Sequence, residues 1–340
     1  MKKIFTILLL FAMTLTILFV VSCSDGSSGD GSSGDGSSGG ISINPLTDDM
    51  KKCAPDLASS VITEWSGWSG AADYGVLRKH FDSTSKGENI YAPVELFDDK
   101  LDYFSGLFSS SSSAAVTGPV SLPDIFGGTA VNDFETRVEV DQYIFYYKPA
   151  GTDGTEKFLF YWDQDPGIQN SLYAIRNNKS NDLEIWTAGF NTASENKSHA
   201  IMHFEGNTVD KNFKFRIKTD AGSSYGAGWA FWGGGSIKTE DSYIAVRGTN
   251  DADSANLEND GEGITGAGTD TTYVILKVGE MKAAAGPVVK DGTAANFNNE
   301  SDATKPSVKY IDFGTDCLHK TLGNAQNFKY PTAASELLIQ

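Results

Sequence analysis

From about residue 134 to residue 278 the chain is one short apolar run after another, most of them separated by only a few residues. The runs centre on 138–147, 157–162, 172–176, 183–186, 200–205, 213–218, 229–232, 243–247 and 273–278. They recur mostly every 10–15 residues, with turn formers such as Gly151-Thr152-Asp153-Gly154 between them, which predicts strands joined by hairpins rather than βαβ units. A mainly β, antiparallel meander is therefore expected. The chain's 36 glycines suit so many turns.

Side-chain alternation sets what the strands must touch. Phe213, Phe215 and Ile217 alternate with Lys214, Arg216 and Lys218, so this run predicts one dry face and one wet face. Tyr143-Ile144-Phe145-Tyr146-Tyr147 and Phe158-Leu159-Phe160-Tyr161-Trp162 are apolar on both faces, so that part of the sheet needs two covers. One cover is expected from an opposite sheet wall. The other is expected from a helix over 93–108, where Val94, Phe97, Leu101, Phe104 and Phe108 recur at three- and four-residue steps and Pro93 suits the first turn. A barrel or half-barrel with N-terminal helices packed on it follows, with a two-sheet sandwich as the alternative. Weaker helical patterns lie at 48–63 and 71–81, and a lone strand pattern at 308–313.

The N-terminus has a different character. Lys2 and Lys3 precede an unbroken apolar stretch from Ile4 to Val21, the layout of a secretory signal. The stretch is also about long enough to span a bilayer as a helix, so an uncleaved anchor is the competing reading. Val20-Val21-Ser22-Cys23 resembles the lipobox of bacterial lipoproteins. The resemblance covers residues 1–23. It implies cleavage before Cys23, acylation of that cysteine's thiol and freed amine, and an essentially permanent hold on a membrane. Ser24 rather than Asp follows the cysteine, which by the same resemblance points to the outer membrane.

Residues 25–39 read Asp-Gly-Ser-Ser-Gly three times and Gly40 follows. With no apolar side chain to offset the entropy of ordering, this is a flexible spacer with a span of roughly 20–25 Å. The expected organisation is a signal peptide over 1–22, a lipidated cysteine and tether over 23–40, a helical region over 41–128, a β domain over 129–282, and a mostly irregular segment over 283–340 packed on that domain.

Charge and cysteine count narrow the partners. Lys+Arg 27 against Asp+Glu 44 gives a formal charge of −17, a poor surface for nucleic acid. Three cysteines do not make a disulfide scaffold. With Cys23 on the lipid, Cys53 and Cys317 remain, and an oxidising envelope favours a disulfide between them.

Catalytic motifs fail on their context. Gly222-Ser223-Ser224-Tyr225-Gly226 has the letters of a nucleophile elbow, but the run after it reads as a strand where a helix is needed. Gly261-Glu262-Gly263-Ile264-Thr265-Gly266 has the letters of a dinucleotide fingerprint, but it lies in an acidic loop that leads into a strand. His199 and His203, four apart in a strand, stand about 13 Å apart and do not share one ion. Glu139 and Asp141 share a strand face, but Ile144 occupies the position where a third carboxylate would complete a glycosidase motif.

Two ligand possibilities survive. Asp163 with Asp165, and the loop carrying Asp251, Asp253, Glu258, Asp260 and Glu262, crowd oxygen ligands as calcium requires, without EF-hand spacing. Tyr225, Trp229 and Trp232 gather aromatic surface beside Gly233-Gly234-Gly235, a pattern suited to stacking a sugar. The expectation is a lipid-anchored, non-enzymatic envelope protein that binds a glycan, an apolar ligand, or an envelope or host protein. An exported polysaccharide hydrolase using dispersed carboxylates and a purely structural lipoprotein are the alternatives. Peptide mapping of the mature protein without reductant should recover Cys53 and Cys317 in one linked fragment. Recovery of both as free thiols contradicts the pairing.

Overall fold

The computed structural model describes residues 43–47, 51, 92–108, 113–164, 167–191, 199–220, 228–251, 271–277, 288–291, 331 and 333–339. Of these, the side chains at 106–108, 164, 199, 218–220, 228–232, 243–251, 271–277 and 288–291 are left undescribed. The chain divides into Met1–Ile41 and Ser42–Gln340, and every described residue belongs to the second unit. The signal, lipobox and tether, Cys53, Cys317 and the patterns at 71–81 and 308–313 all lie outside the described residues, as does 48–63 apart from Lys51.

One helix, α1 (Ala92–Phe108), precedes fourteen strands among the described residues. These are β1 (Ala114–Ala115), β2 (Val120–Ser121), β3 (Ala130–Val131), β4 (Thr136–Val140), β5 (Tyr143–Lys148), β6 (Thr155–Gln164), β7 (Ile168–Asn177), β8 (Asp182–Asn191), β9 (His199–Asn207), β10 (Asn212–Asp220), β11 (Gly228–Ser236), β12 (Tyr243–Asp251), β13 (Thr271–Lys277) and β14 (Val288–Asp291). Twelve form one sheet in the order β1-β4-β5-β6-β7-β8-β9-β10-β11-β12-β13-β14, and β2 pairs with β3 separately. The pairings are antiparallel throughout, as the hairpin spacing requires. The meander is as expected. Its two end strands are not paired with each other, so among the described residues it is an open sheet and neither a closed barrel nor a two-sheet sandwich.

The run at 138–147 is two strands, not one. Asp141, at φ 51°, turns the chain between β4 and β5. Glu139 and Asp141 therefore do not share a strand face, because Asp141 lies in the turn.

Helix α1 supplies one cover. Val94, Phe97, Leu101 and Phe104 are buried. Phe97 meets Phe158 edge-on with ring centroids 5.2 Å apart, and Phe104 stacks on Phe145 at 4.8 Å. Burying such a side chain contributes about 1.5–3 kcal/mol, so the apolar stripe decides where the helix docks. Lys100, on the same helix, is 4% exposed, with its ammonium 4.3 Å from the Trp162 ring centroid. Burial pulls its pKa down to about 8 against the opposing effect of Asp99. The ring face partly replaces the water this cation has lost.

The second cover is not a sheet wall. A 3-10 turn at Asp124–Phe126, the small β2–β3 sheet and the C-terminal Ala334–Leu337 turn pack on the other face, around Leu159, Tyr173, Trp186 and Ile201. Leu337 is fully buried, and its carbonyl accepts a hydrogen bond from Ser171 Oγ. Residues 113–128, expected to end a helical region, are mostly extended: Ala114–Ala115 join the large sheet, and 120–128 belong to this cover.

At one end of the sheet successive hairpin turns repeat one arrangement. Gly154, Asn181 and Lys211 take positive φ, and their carbonyls accept from Asn178, Thr208 and Ile237 of the next turn at 3.0, 2.9 and 2.8 Å. Gly154 has to be glycine, because a Cβ there would lie 2.7 Å from Lys179 Cγ. Asn207 Oδ1 accepts from the backbone N–H groups of Val209 and Asp210, while its Nδ2 donates back to Ser180 O and Asp182 Oδ1. Asn177 repeats this with Lys179, Ser180, Asp153 O and Thr155 Oγ1. In the next turn Ser236 stands in the same place, and its Oγ accepts from Lys238 N.

These side chains staple neighbouring turns into register. Asn207→Ala should lower stability by about 1–2 kcal/mol. Ser236→Asn, which offers a donor to the preceding turn, should raise the melting temperature. Urea denaturation of both variants checks the assignment, and no change in either contradicts it.

Candidate functional site

On the face away from α1, strands β7 to β10 carry two rows across the sheet. Register places Tyr173, Trp186, His203 and Arg216 side by side, with Ile175, Glu184, Glu205 and Lys214 in the adjoining row. Each position faces the same way because side chains alternate along a strand. Glu184 and His203 are fully buried, and Glu205 and Arg216 are 8% and 7% exposed. The run on β10 is thus not dry on one face and wet on the other. Arg216 is buried, with its guanidinium against the Trp186 ring, and Lys214 is half-buried beside the Glu205 carboxylate on the neighbouring strand.

Glu184 Oε1 accepts from Trp186 Nε1 at 2.9 Å and lies 2.9 Å from His203 Nε2. Glu205 Oε1 is 3.4 Å from the same nitrogen, and its Oε2 is 2.9 Å from Lys214 Nζ. Trp186 stacks on the imidazole with centroids 3.7 Å apart, and the Arg216 guanidinium lies 5.1 Å from the Trp186 ring. Burial pushes the His203 pKa well below its ordinary value, and the nearby Arg216 and Lys214 cations push it further. The ring is therefore neutral, and the carboxylate beside Nε2 places its single proton on that atom.

Glu184, His203 and Glu205 offer ligand atoms that all lie within 4.8 Å of one another. A divalent cation fits that spacing but not the charge. Lys214 and Arg216 already balance the two carboxylates, so an added ion would leave an uncompensated double positive charge in a buried site. Nor does the carboxylate pair form a glycosidase cleft. His203 and Lys214 lie against it, and both acids are buried where a sugar would have to stand. The arrangement is suited to a closed polar network that fixes the register of β8, β9 and β10.

A second network lies on the α1 face. Glu156 accepts from Arg176 Nε at 2.7 Å, Tyr147 Oη at 2.8 Å and Asn178 Nδ2 at 2.7 Å. Burial raises the Glu156 pKa, but Arg176, with Tyr147 and Asn178, outweighs it and holds the carboxyl below its ordinary range.

The residues singled out in the sequence fare differently. His203 belongs to the buried cluster, without His199, whose side chain is undescribed. Asp163 is near the end of β6, with its backbone N–H donating to Gln142 O at 3.2 Å; Asp165 lies outside the described residues. Asp251 ends β12 and its side chain is undescribed, while Asp253, Glu258, Asp260 and Glu262 lie outside. Trp229 and Trp232 lie on β11, where Trp232 pairs with Arg216 and Arg247, but their side chains are undescribed and Tyr225 lies outside. The segment after Gly226 is strand β11, so the helix of a nucleophile elbow is not there. Glu184, Glu205 and Arg176 were not singled out by sequence. Their signal was a charged residue at an inward position of an otherwise apolar strand.

No family model matches this chain, and neither do any curated protein or solved structure.

His203 makes the fold sensitive to acid. Its folded pKa lies below the unfolded value near 6.5, so the unfolded chain binds more protons between those two values. Stability should fall as pH drops below 6.5, by up to about 1.4 kcal/mol per pH unit. Depression of the Glu156 pKa adds a loss only below about pH 4.5. Urea titrations from pH 7 to 5 should show this slope in the wild type and a flatter one in His203→Gln. Parallel slopes contradict the assignment.

Proposed function

We propose that this chain is a lipid-anchored protein of the bacterial envelope, in the outer membrane, whose β domain binds a ligand or partner rather than catalysing a reaction. The observation that carries the reading is Val20-Val21-Ser22-Cys23 at the end of an apolar run, followed at once by Asp-Gly-Ser-Ser-Gly repeats. The first element supplies a thiol beside the membrane and the second a solvated spacer. Binding rather than catalysis is supported by the charge-balanced, buried state of the Glu184–His203–Glu205 cluster, which offers a substrate no approach.

The most promising contact surface is the aromatic, glycine-rich segment with Tyr225, Trp229 and Trp232. Flat rings beside small residues suit a glycan or the extended backbone of a partner protein. Acidic loops elsewhere could add calcium.

Expression of the full chain and Cys23→Ala in a Gram-negative host tests the anchor. The wild type should incorporate labelled palmitate and fractionate with outer membranes. The variant should lose the label and leave the lipobox uncleaved. A wild type that is unlabelled and still carries residues 1–22 would mean an uncleaved anchor and overturn the reading. Glycan and lipid arrays probed with the wild type and Trp232→Ala test the binding role.

A further inference from the structure

Residues 43–47 are the first described in the chain, close after the Gly/Ser/Asp repeats. They pair with no strand among the described residues. Ile43 and Leu46 are buried, and between them the carbonyls of Asn44 and Pro45 both accept from Arg176 Nη1, at 3.0 and 3.3 Å. Arg176 is 132 residues away from Asn44, on β7, and 1% exposed. Its Nε is held by Glu156 and its guanidinium lies 5.3 Å from the Phe158 ring centroid. One buried cation thus joins the start of the domain to the middle of the sheet.

We infer that residues 43–47 are a strap clasped onto the sheet by Arg176, which opens as a unit while the sheet stays folded. The strap has two buried apolar side chains, two carbonyls on one Arg176 nitrogen, and at its end Thr47 O accepting from Lys51 N at 3.0 Å, whereas each sheet strand from β6 to β10 is fixed along its length by a ladder on both sides. The proline in the strap has no N–H to give a ladder. Arg176 Nη2 is buried with no hydrogen-bond partner among the described residues, so closure leaves a donor dry that opening returns to water. Glu156 stays held by Tyr147 and Asn178 on its own side, so the sheet's network survives release of the strap. Segments with few anchors and no ladder open below the global unfolding free energy.

The strap stands independently of the lipid anchor. Only its exposure to tension from a membrane rests on that reading. If both hold, a pull on the tether meets the Arg176 clasp before it meets any described strand.

Hydrogen exchange read by mass spectrometry on the full chain in detergent micelles tests the inference, comparing wild type with Arg176→Lys. Lysine keeps a cation facing Glu156, but as a point charge it does not span a carboxylate and two carbonyls. Exchange in a peptide covering 43–47 should rise at least tenfold, while peptides from β7 and β8 keep their protection. Equal rises in all of them would show that the strap opens only with the whole domain. No rise at 43–47 would show that Arg176 does not clasp it. Should Arg176→Lys fail to fold, wild type in urea below its midpoint gives the same readout, and coincident loss of protection overturns the strap. Cys23→Ala carries the same strap without the lipid, so its exchange pattern keeps this test separate from that of the anchor.

Discussion

A single sheet that is apolar on both faces needs two covers, and this requirement organises the molecule. Phe158, Leu159, Phe160, Tyr161 and Trp162 are consecutive and all buried, which no strand with a solvated face allows. Helix α1 takes the face of Phe158 and Phe160. The turn at Asp124–Phe126 and the turn ending in Leu337 take the face of Leu159 and Tyr173. Once both faces are closed, charged residues remaining on the strands must find each other. The cluster of Glu184, His203, Glu205 and Lys214 and the Glu156–Arg176 pair are the two results, one on each face.

Much of this was legible because it is local. Strand spacing is a matter of turn chemistry, and the stripe of α1 is a matter of residues three and four apart, so both can be read along the chain. The split at Asp141 was missed because Val138 to Tyr147 reads as one run apart from a few polar residues. A two-residue turn there depends on a single positive φ. The wet-face expectation for Lys214 and Arg216 failed for a longer-range reason. Lys214 meets Glu205 and Arg216 meets the Trp186 ring, partners brought alongside by a register that only the folded sheet sets. Likewise the second cover came from segments without a strand or helix pattern, which have no periodicity to read.

The buried clusters also bear on what kind of protein this is. Balanced charges inside a dry sheet contribute little net stability, but they penalise every misaligned pairing, since a slip by one residue would separate Glu205 from Lys214 or Glu156 from Arg176. The Asn177 and Asn207 staples act on the same problem from the turn end. A long meander of similar strands has many near-equivalent alignments, and these polar contacts separate the native one from the rest.

The order of strands has a consequence for how the protein is made. From β5 to β14 each described strand pairs with the described strand before it in sequence, so a chain emerging N-terminus first can add strands one at a time, each to an edge already present. Such near-neighbour contacts favour rapid growth of the sheet. The cover over Trp186 and Tyr173 arrives on a different schedule, because Leu337 follows Ser171 by 166 residues. A nearly complete sheet therefore keeps part of one aromatic face open until Leu337 appears, and the Ala334–Leu337 turn acts as its seal.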